Sequence, residues 1–131
     1  MTKVGEHVTF DIIGTQKEYD PKFYEKLVYK IAKKAKVIVL EISKYKFEPQ
    51  GFTLVALLAE SHISFHTFPE KGIISFDFFT CGKISPSVAL EVLKKEIKHT
   101  RIVKPCGSNL YFDIFKIVTL ATLAISLITF S

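Results

Sequence analysis

The sequence predicts an α+β fold, a mostly antiparallel sheet with two helices packed on one face. Three observations predict it. Runs rich in β-branched and aromatic residues recur along the chain, two cap-plus-proline signatures each open a stretch of helical period, and the order is strand, helix, several strands, helix, strand. The 131 residues, 48% hydrophobic and 13% aromatic, are enough for one packed core and argue against disorder.

Each element follows from local pattern. EHVTFDII, residues 6 to 13, alternates as a first strand. Asp20 and Pro21 read as an N-cap and first-turn proline. They open a helix whose apolar positions Phe23, Leu27, Ile31 and Ala35, flanked by Tyr24, Val28 and Ala32, keep the 3.6-residue period. Val37 to Ile42 is a β-branched second strand, and SKYKFEPQG supplies turn chemistry through Pro49 and Gly51. Phe52 to Ala59 forms a third strand and His62 to Phe68 a fourth; Pro69 to Gly72 turns the chain into a fifth, Ile73 to Thr80. Ser85 and Pro86 repeat the cap signature and open a second helix to about His99, with Leu90, Leu93 and Ile97 inward. Arg101 to Cys106 is a weaker last strand. The uncovered sheet face is expected to be rich in Phe and to need cover from a partner or a second copy.

Charge and cysteine usage narrow the function. The 18 Lys plus Arg exceed the 13 Asp plus Glu to give a net charge of +5, but the basic residues are dispersed, so no nucleic-acid partner is expected. Cys81 and Cys106 lack C-x-x-C spacing and no charged-then-apolar leader opens the chain, so a reducing cytoplasm is the default compartment and no structural disulfide is expected. The C-terminus is different. IVTLATLAISLITFS, residues 117 to 131, is uncharged, yet as a helix it reaches only about 22 Å against a hydrocarbon core of about 30 Å. A segment begun at Leu110 is long enough if Asp113 and Lys116 sit near one interface. Membrane contact through residues 110 to 131, or docking on the body or a partner chain, both remain open.

ESHISFH, residues 60 to 66, places an acid, two hydroxyls and two imidazoles in an apolar run. Alternation sets His62, Ser64 and His66 on one face and Ser61, Ile63 and Phe65 on the other. A satisfied polar patch within a sheet is the plain reading. A hydrolase fits badly: there is no G-x-S-x-G elbow and no obvious acid to orient an imidazole. His62 and His66, i and i+4 on a strand, stand roughly 13 Å apart, too far to share one metal, and no metal is assigned. A third use is self-cleavage, in which the Ser61 hydroxyl attacks the Glu60 carbonyl, the amide becomes an ester, and elimination leaves a pyruvoyl ketone. Such a ketone forms a Schiff base with a substrate amine and accepts electrons as carbon dioxide departs.

AESHISFHTFPEKGIISFDFFTCG, residues 59 to 82, closely resembles the proenzyme motif of prokaryotic S-adenosylmethionine decarboxylases; KFEPQG, residues 46 to 51, and GEHVTFDIIG, residues 5 to 14, resemble the family as well. The resemblance spans about residues 4 to 105. It implies cleavage between Glu60 and Ser61 into chains 1–60 and 61–131, a covalent pyruvoyl cofactor from Ser61, His66 as the processing base and Cys81 as the proton donor to substrate carbon. It further implies that Thr53, where the family often has serine, supports the acyl shift with slower maturation, that Phe47 stacks on the substrate adenine, and that Glu70 binds ribose hydroxyls. His7 and Asp11 sit in the first motif without an assigned role. Phe68 replaces a tryptophan common in the family, and Cys106 is read as structural.

The implied activity is decarboxylation of S-adenosylmethionine to the aminopropyl donor for spermidine synthesis. The alternatives are a pyruvoyl-dependent decarboxylase of arginine or another amino acid, and an uncleaved regulatory relative. The implied assembly is a homodimer of processed protomers whose sheet faces pair. Residues 1–108 form the decarboxylase domain and 109–131 a tail. On a flat strand Ser61 and His66 face opposite ways, so a kink or bulge between them is predicted.

Overall fold

Alternation of buried core-facing and less buried outward-facing residues builds the central strands. In the computed structural model, which describes residues 4–16 and 18–104, β1 (Glu6–Ile13) buries Val8, Phe10 and Ile12 and turns His7, Thr9 and Asp11 to the other face. α1 (Pro21–Ala35) begins where the Asp20 carboxylate accepts the Lys22 amide at 2.8 Å, with Pro21 in the first turn. It ends at Lys36, which is left-handed. Its buried stripe, Tyr24, Leu27, Val28, Ile31, Ala32 and Ala35, lies on the sheet, and the Tyr24 ring sits 5.2 Å from Phe52 and 5.4 Å from Phe65. Each fully buried Leu or Ile contributes roughly 1.5–3 kcal/mol to holding the layers together.

The remaining elements complete one six-stranded sheet in the order β2-β3-β4-β5-β1-β6, every neighbouring pair antiparallel. They are β2 (Val39–Lys46), β3 (Phe52–Leu58), β4 (Ser61–Phe68), β5 (Ile73–Thr80), α2 (Ala89–Glu96) and β6 (Arg101–Val103). Single 3₁₀ turns, Pro69–Lys71 and Pro86–Val88, lead into β5 and α2. The predicted α+β architecture, with two helices against one face, is therefore the observed one. The tail after residue 104, including Cys106, lies outside the described residues. Among the described residues no helix is long and apolar enough to cross a membrane.

Five details differ from expectation. β2 starts two residues late and continues through SKYK, because lysines and a tyrosine suit an exposed edge strand that must not pair with other chains. The turn shrinks to Phe47–Gly51, closed by the Phe47 amide on the Gly51 carbonyl at 2.8 Å, with Gly51 at φ 102. α2 is shorter at both ends: Ser85 and Pro86 open a 3₁₀ turn, and Ile97, 1% exposed, leaves the helix in extended conformation to reach the core. The open face is not rich in Phe. Phe10, Phe52, Phe65, Phe76 and Phe78 all have core parity and are buried under the helices, whereas the open face carries a polar strip beside Phe68 and Phe79. Lastly, β4 pairs with β3 and β5 in an unbroken register from Ser61 onward, so the predicted bulge between Ser61 and His66 is absent.

Candidate active site

β3 and β4 are joined by two residues only, since Leu58 and Ser61 are already partners. Such a tight hairpin needs backbone with positive φ, and Glu60 supplies it at φ 60. A residue with a side chain held there stores roughly 1–3 kcal/mol of strain, and it is the residue whose carbonyl precedes Ser61. That carbonyl accepts the Cys81 amide at 3.2 Å. Register places Thr80 opposite Ser61, and the Ser61 hydroxyl donates to Thr80 Oγ1 at 2.8 Å. Thr80, 1% exposed, is itself held by the Gly82 amide at 2.9 Å. Cys81 follows the last residue of β5, with a free, exposed thiol. Beside it is a hollow lined by Val4, Gly5, Glu6 and Lys83.

This end of β4 therefore gathers Glu60, Ser61 and Cys81, three of the residues singled out from sequence. It adds Thr80, which sequence reasoning missed. Its signal was parity: in IISFDFFT, Thr80 is the one polar member of the core-facing set Ile74, Phe76, Phe78, Thr80.

Thr53 and His66 form a second group at the opposite end of the strand. They are register partners on β3 and β4, and Thr53 Oγ1 lies 3.0 Å from His66 Nδ1. Neighbouring side chains withdraw enough water from the ring to hold its pKa below the usual imidazole value, against the pull of the Asp77 carboxylate. Phe47, in the β2–β3 turn, is 47% exposed and meets Tyr45 edge-on at 4.9 Å. Glu70 is exposed on the turn after β4. Ser61 and His66 are five residues apart, roughly 17 Å along a strand, and their side chains occupy opposite faces. One chain does not bring the two groups together.

A third group occupies the middle of the open face. Asp77 of β5 accepts from Ser64 through Oδ1, and its Oδ2 lies 2.8 Å from His7 Nε2 and 3.3 Å from His62 Nε2. Burial opposes its ionisation, but the hydrogen bonds from Ser64, His7 and His62 outweigh burial and hold its carboxyl below the usual carboxylate range. Asp77 is thus the acid that the sequence reading did not find. His7 gains a partner, and Asp11 accepts from the Ser75 hydroxyl at 2.9 Å.

Comparison with known proteins identifies the family. The family model described as S-adenosylmethionine decarboxylase matches residues 6–104. The S-adenosylmethionine decarboxylase proenzyme of Synechococcus is 41% identical over 98 residues, covering 72% of this chain and 77% of that one. The proenzyme of Prochlorococcus marinus is 40% identical over 97 residues, 72% and 78% of the two chains, and that of Brevibacillus brevis is 37% identical over 97 residues, 72% and 73%. The crystal structure of the adenosylmethionine decarboxylase from Aquifex aeolicus superposes with a TM-score of 0.70 at 32% identity, covering 79% of this chain and 88% of that one. With nearly the whole described sheet inside the matched region, the chain belongs to the S-adenosylmethionine decarboxylase family.

Proposed function

We propose that this chain is the precursor of a pyruvoyl-dependent S-adenosylmethionine decarboxylase that cuts itself between Glu60 and Ser61. The carrying observation is the strained Glu60 turn, whose carbonyl is polarised by the Cys81 amide next to a serine hydroxyl aligned by Thr80. Ser61 Oγ closes a five-membered ring on the Glu60 carbonyl carbon, and the Cys81 N–H steadies the oxygen as negative charge develops. Collapse breaks the C–N bond, protonates the Ser61 nitrogen and leaves Glu60 as an ester on Oγ. Removal of the Ser61 α-proton then expels the Glu60 carboxylate, and water releases ammonia, leaving chains 1–60 and 61–131. The two chains stay together because β1 of the first remains hydrogen-bonded to β5 and β6 of the second, and β3 to β4.

His66 suits the α-proton step because its depressed pKa leaves a neutral imidazole, held by Thr53, at neutral pH. It cannot reach Ser61 of its own chain. Two copies pairing their open sheet faces about a two-fold axis solve this: each His66 end meets the Ser61 end of the other copy, giving two composite sites. The Ser61 side chain itself points to the helical layer, so the imidazole of the other copy would approach the Ser61 Cα from the open face. No bulge is needed.

A pyruvoyl ketone at position 61 supplies an electron sink for loss of carbon dioxide from an α-amino acid. The surroundings suit it, with the Cys81 amide and the Thr80 hydroxyl as polar neighbours and an open hollow alongside. Cys81 offers its thiol proton to the substrate α-carbon, Phe47 presents an exposed ring for adenine, and Glu70 is an acceptor for ribose hydroxyls. The product would be the aminopropyl donor for spermidine synthesis. On this reading residues 1–108 are the decarboxylase domain and 109–131 an apolar appendage. The test is release of labelled carbon dioxide from carboxyl-labelled S-adenosylmethionine, with arginine in parallel and Ser61→Ala as control. Release from S-adenosylmethionine by the unaltered chain alone is expected; release from arginine only, or equal release by Ser61→Ala, contradicts the proposal.

A further inference from the structure

We propose that His7 Nε2, His62 Nε2 and Asp77 Oδ2 form a binding site for one divalent transition-metal ion of the zinc class. The three donors come from the adjacent strands β1, β4 and β5, and all lie within 4.8 Å of one another. Around an ion with bonds of about 2.0–2.2 Å, tetrahedral donors are about 3.4 Å apart. The separations of Asp77 Oδ2, 2.8 Å from His7 and 3.3 Å from His62, therefore need only a small opening. Two neutral imidazoles and a carboxylate suit zinc, cobalt or nickel, not the all-oxygen preference of magnesium or calcium.

The surroundings support this arrangement. Ser64 donates to Asp77 Oδ1, fixing the carboxylate through the oxygen that the ion does not use. Phe79, the register partner of both His7 and His62, packs beside the two rings at 6.2 and 5.9 Å and restricts how they turn. In the single chain the imidazole side chains are 43% and 44% exposed, so an ion reaches the three donors before two copies pair across this face.

The site has a consequence that rests on the cleavage proposed above. His7 lies in chain 1–60, whereas His62 and Asp77 lie in chain 61–131, so the ion would staple the two products of self-cleavage across β4, β5 and β1.

The experiment uses the full chain, stripped of metal by a chelator and titrated with Zn²⁺ by calorimetry and with Co²⁺ by visible absorption. One ion per chain with the intense spectrum of tetrahedral cobalt is expected. His7→Gln, conservative and exposed, should abolish it, and Ser64→Ala should weaken it about 10- to 100-fold. His99→Ala and Cys81→Ser should leave it unchanged. Circular dichroism of each variant separates loss of the site from loss of the fold. No binding by folded protein, or binding unaffected by His7→Gln, overturns the site. Ser61→Ala, which cannot be cut, should still bind the ion, so failure of self-cleavage and failure of the metal site are read separately. In the cut protein, added Zn²⁺ should raise the melting temperature, and in His7→Gln it should not; equal shifts in both would refute the staple.

Discussion

Thr80 offers a sharp test, because it acts on Ser61 without being part of the bond that breaks. Thr80→Val preserves shape and removes one buried oxygen. The Ser61 hydroxyl, in a residue only 8% exposed, then loses its acceptor at 2.8 Å, while the exposed Gly82 amide can turn to water. An unsatisfied buried group costs about 1–3 kcal/mol, and the same alignment lost in the transition state at about 1.4 kcal/mol per tenfold corresponds to maturation slowed about 5- to 100-fold. The assay follows the fraction of cut chain on a denaturing gel over time, with urea unfolding of the uncut Ser61→Ala background to measure the stability cost separately. Thr80→Ser, which keeps the oxygen, should mature nearly as fast as the unaltered chain. Unchanged maturation of Thr80→Val, or an equal defect in Thr80→Ser, would refute the positioning argument.

Other outcomes follow from the same geometry. Co-expression of Ser61→Ala with His66→Ala should yield cutting of the His66→Ala chain only, because it borrows the imidazole of the other copy; no cutting in the mixture contradicts the composite site. His66 has its folded pKa depressed below 6.5, so below that pH the unfolded chain binds the extra proton first. Its contribution therefore lowers stability as pH falls through 6.5 and levels off below the folded pKa, and the ring resonance of His66 followed by NMR should titrate below the ordinary value; a midpoint at or above 6.5 removes the reason for calling it a ready base. Phe65→Ala, at a fully buried ring touching Tyr24 and Phe76, should cost about 3–5 kcal/mol in urea unfolding.

Local signals carried most of the fold. Asp20-Pro21 marked the start of α1, and alternation in residues 6–13 and 73–80 marked β1 and β5 to the residue. β2 was misjudged because Lys44 and Lys46 resemble a loop by composition, whereas an edge strand tolerates them for the same reason, exposure to water. Parity also gave the correct opposition of Ser61 and His66. What it could not convey was whether the two groups must meet within one chain, and the bulge was inferred from that assumption. Asp77 and Thr80 were readable as polar residues in an apolar strand. Their partners were not, since His7 is 70 positions from Asp77 and only the β1–β5 register joins them.

The most direct measurement of the central claim is the intact mass of the purified protein, with and without borohydride. The account predicts that the 14.9 kDa chain gives way to two fragments corresponding to residues 1–60 and 61–131, the second blocked at its N-terminus and gaining mass on reduction of a ketone. A folded chain that remains whole on ageing, with serine intact at position 61 and no reducible carbonyl, would contradict it.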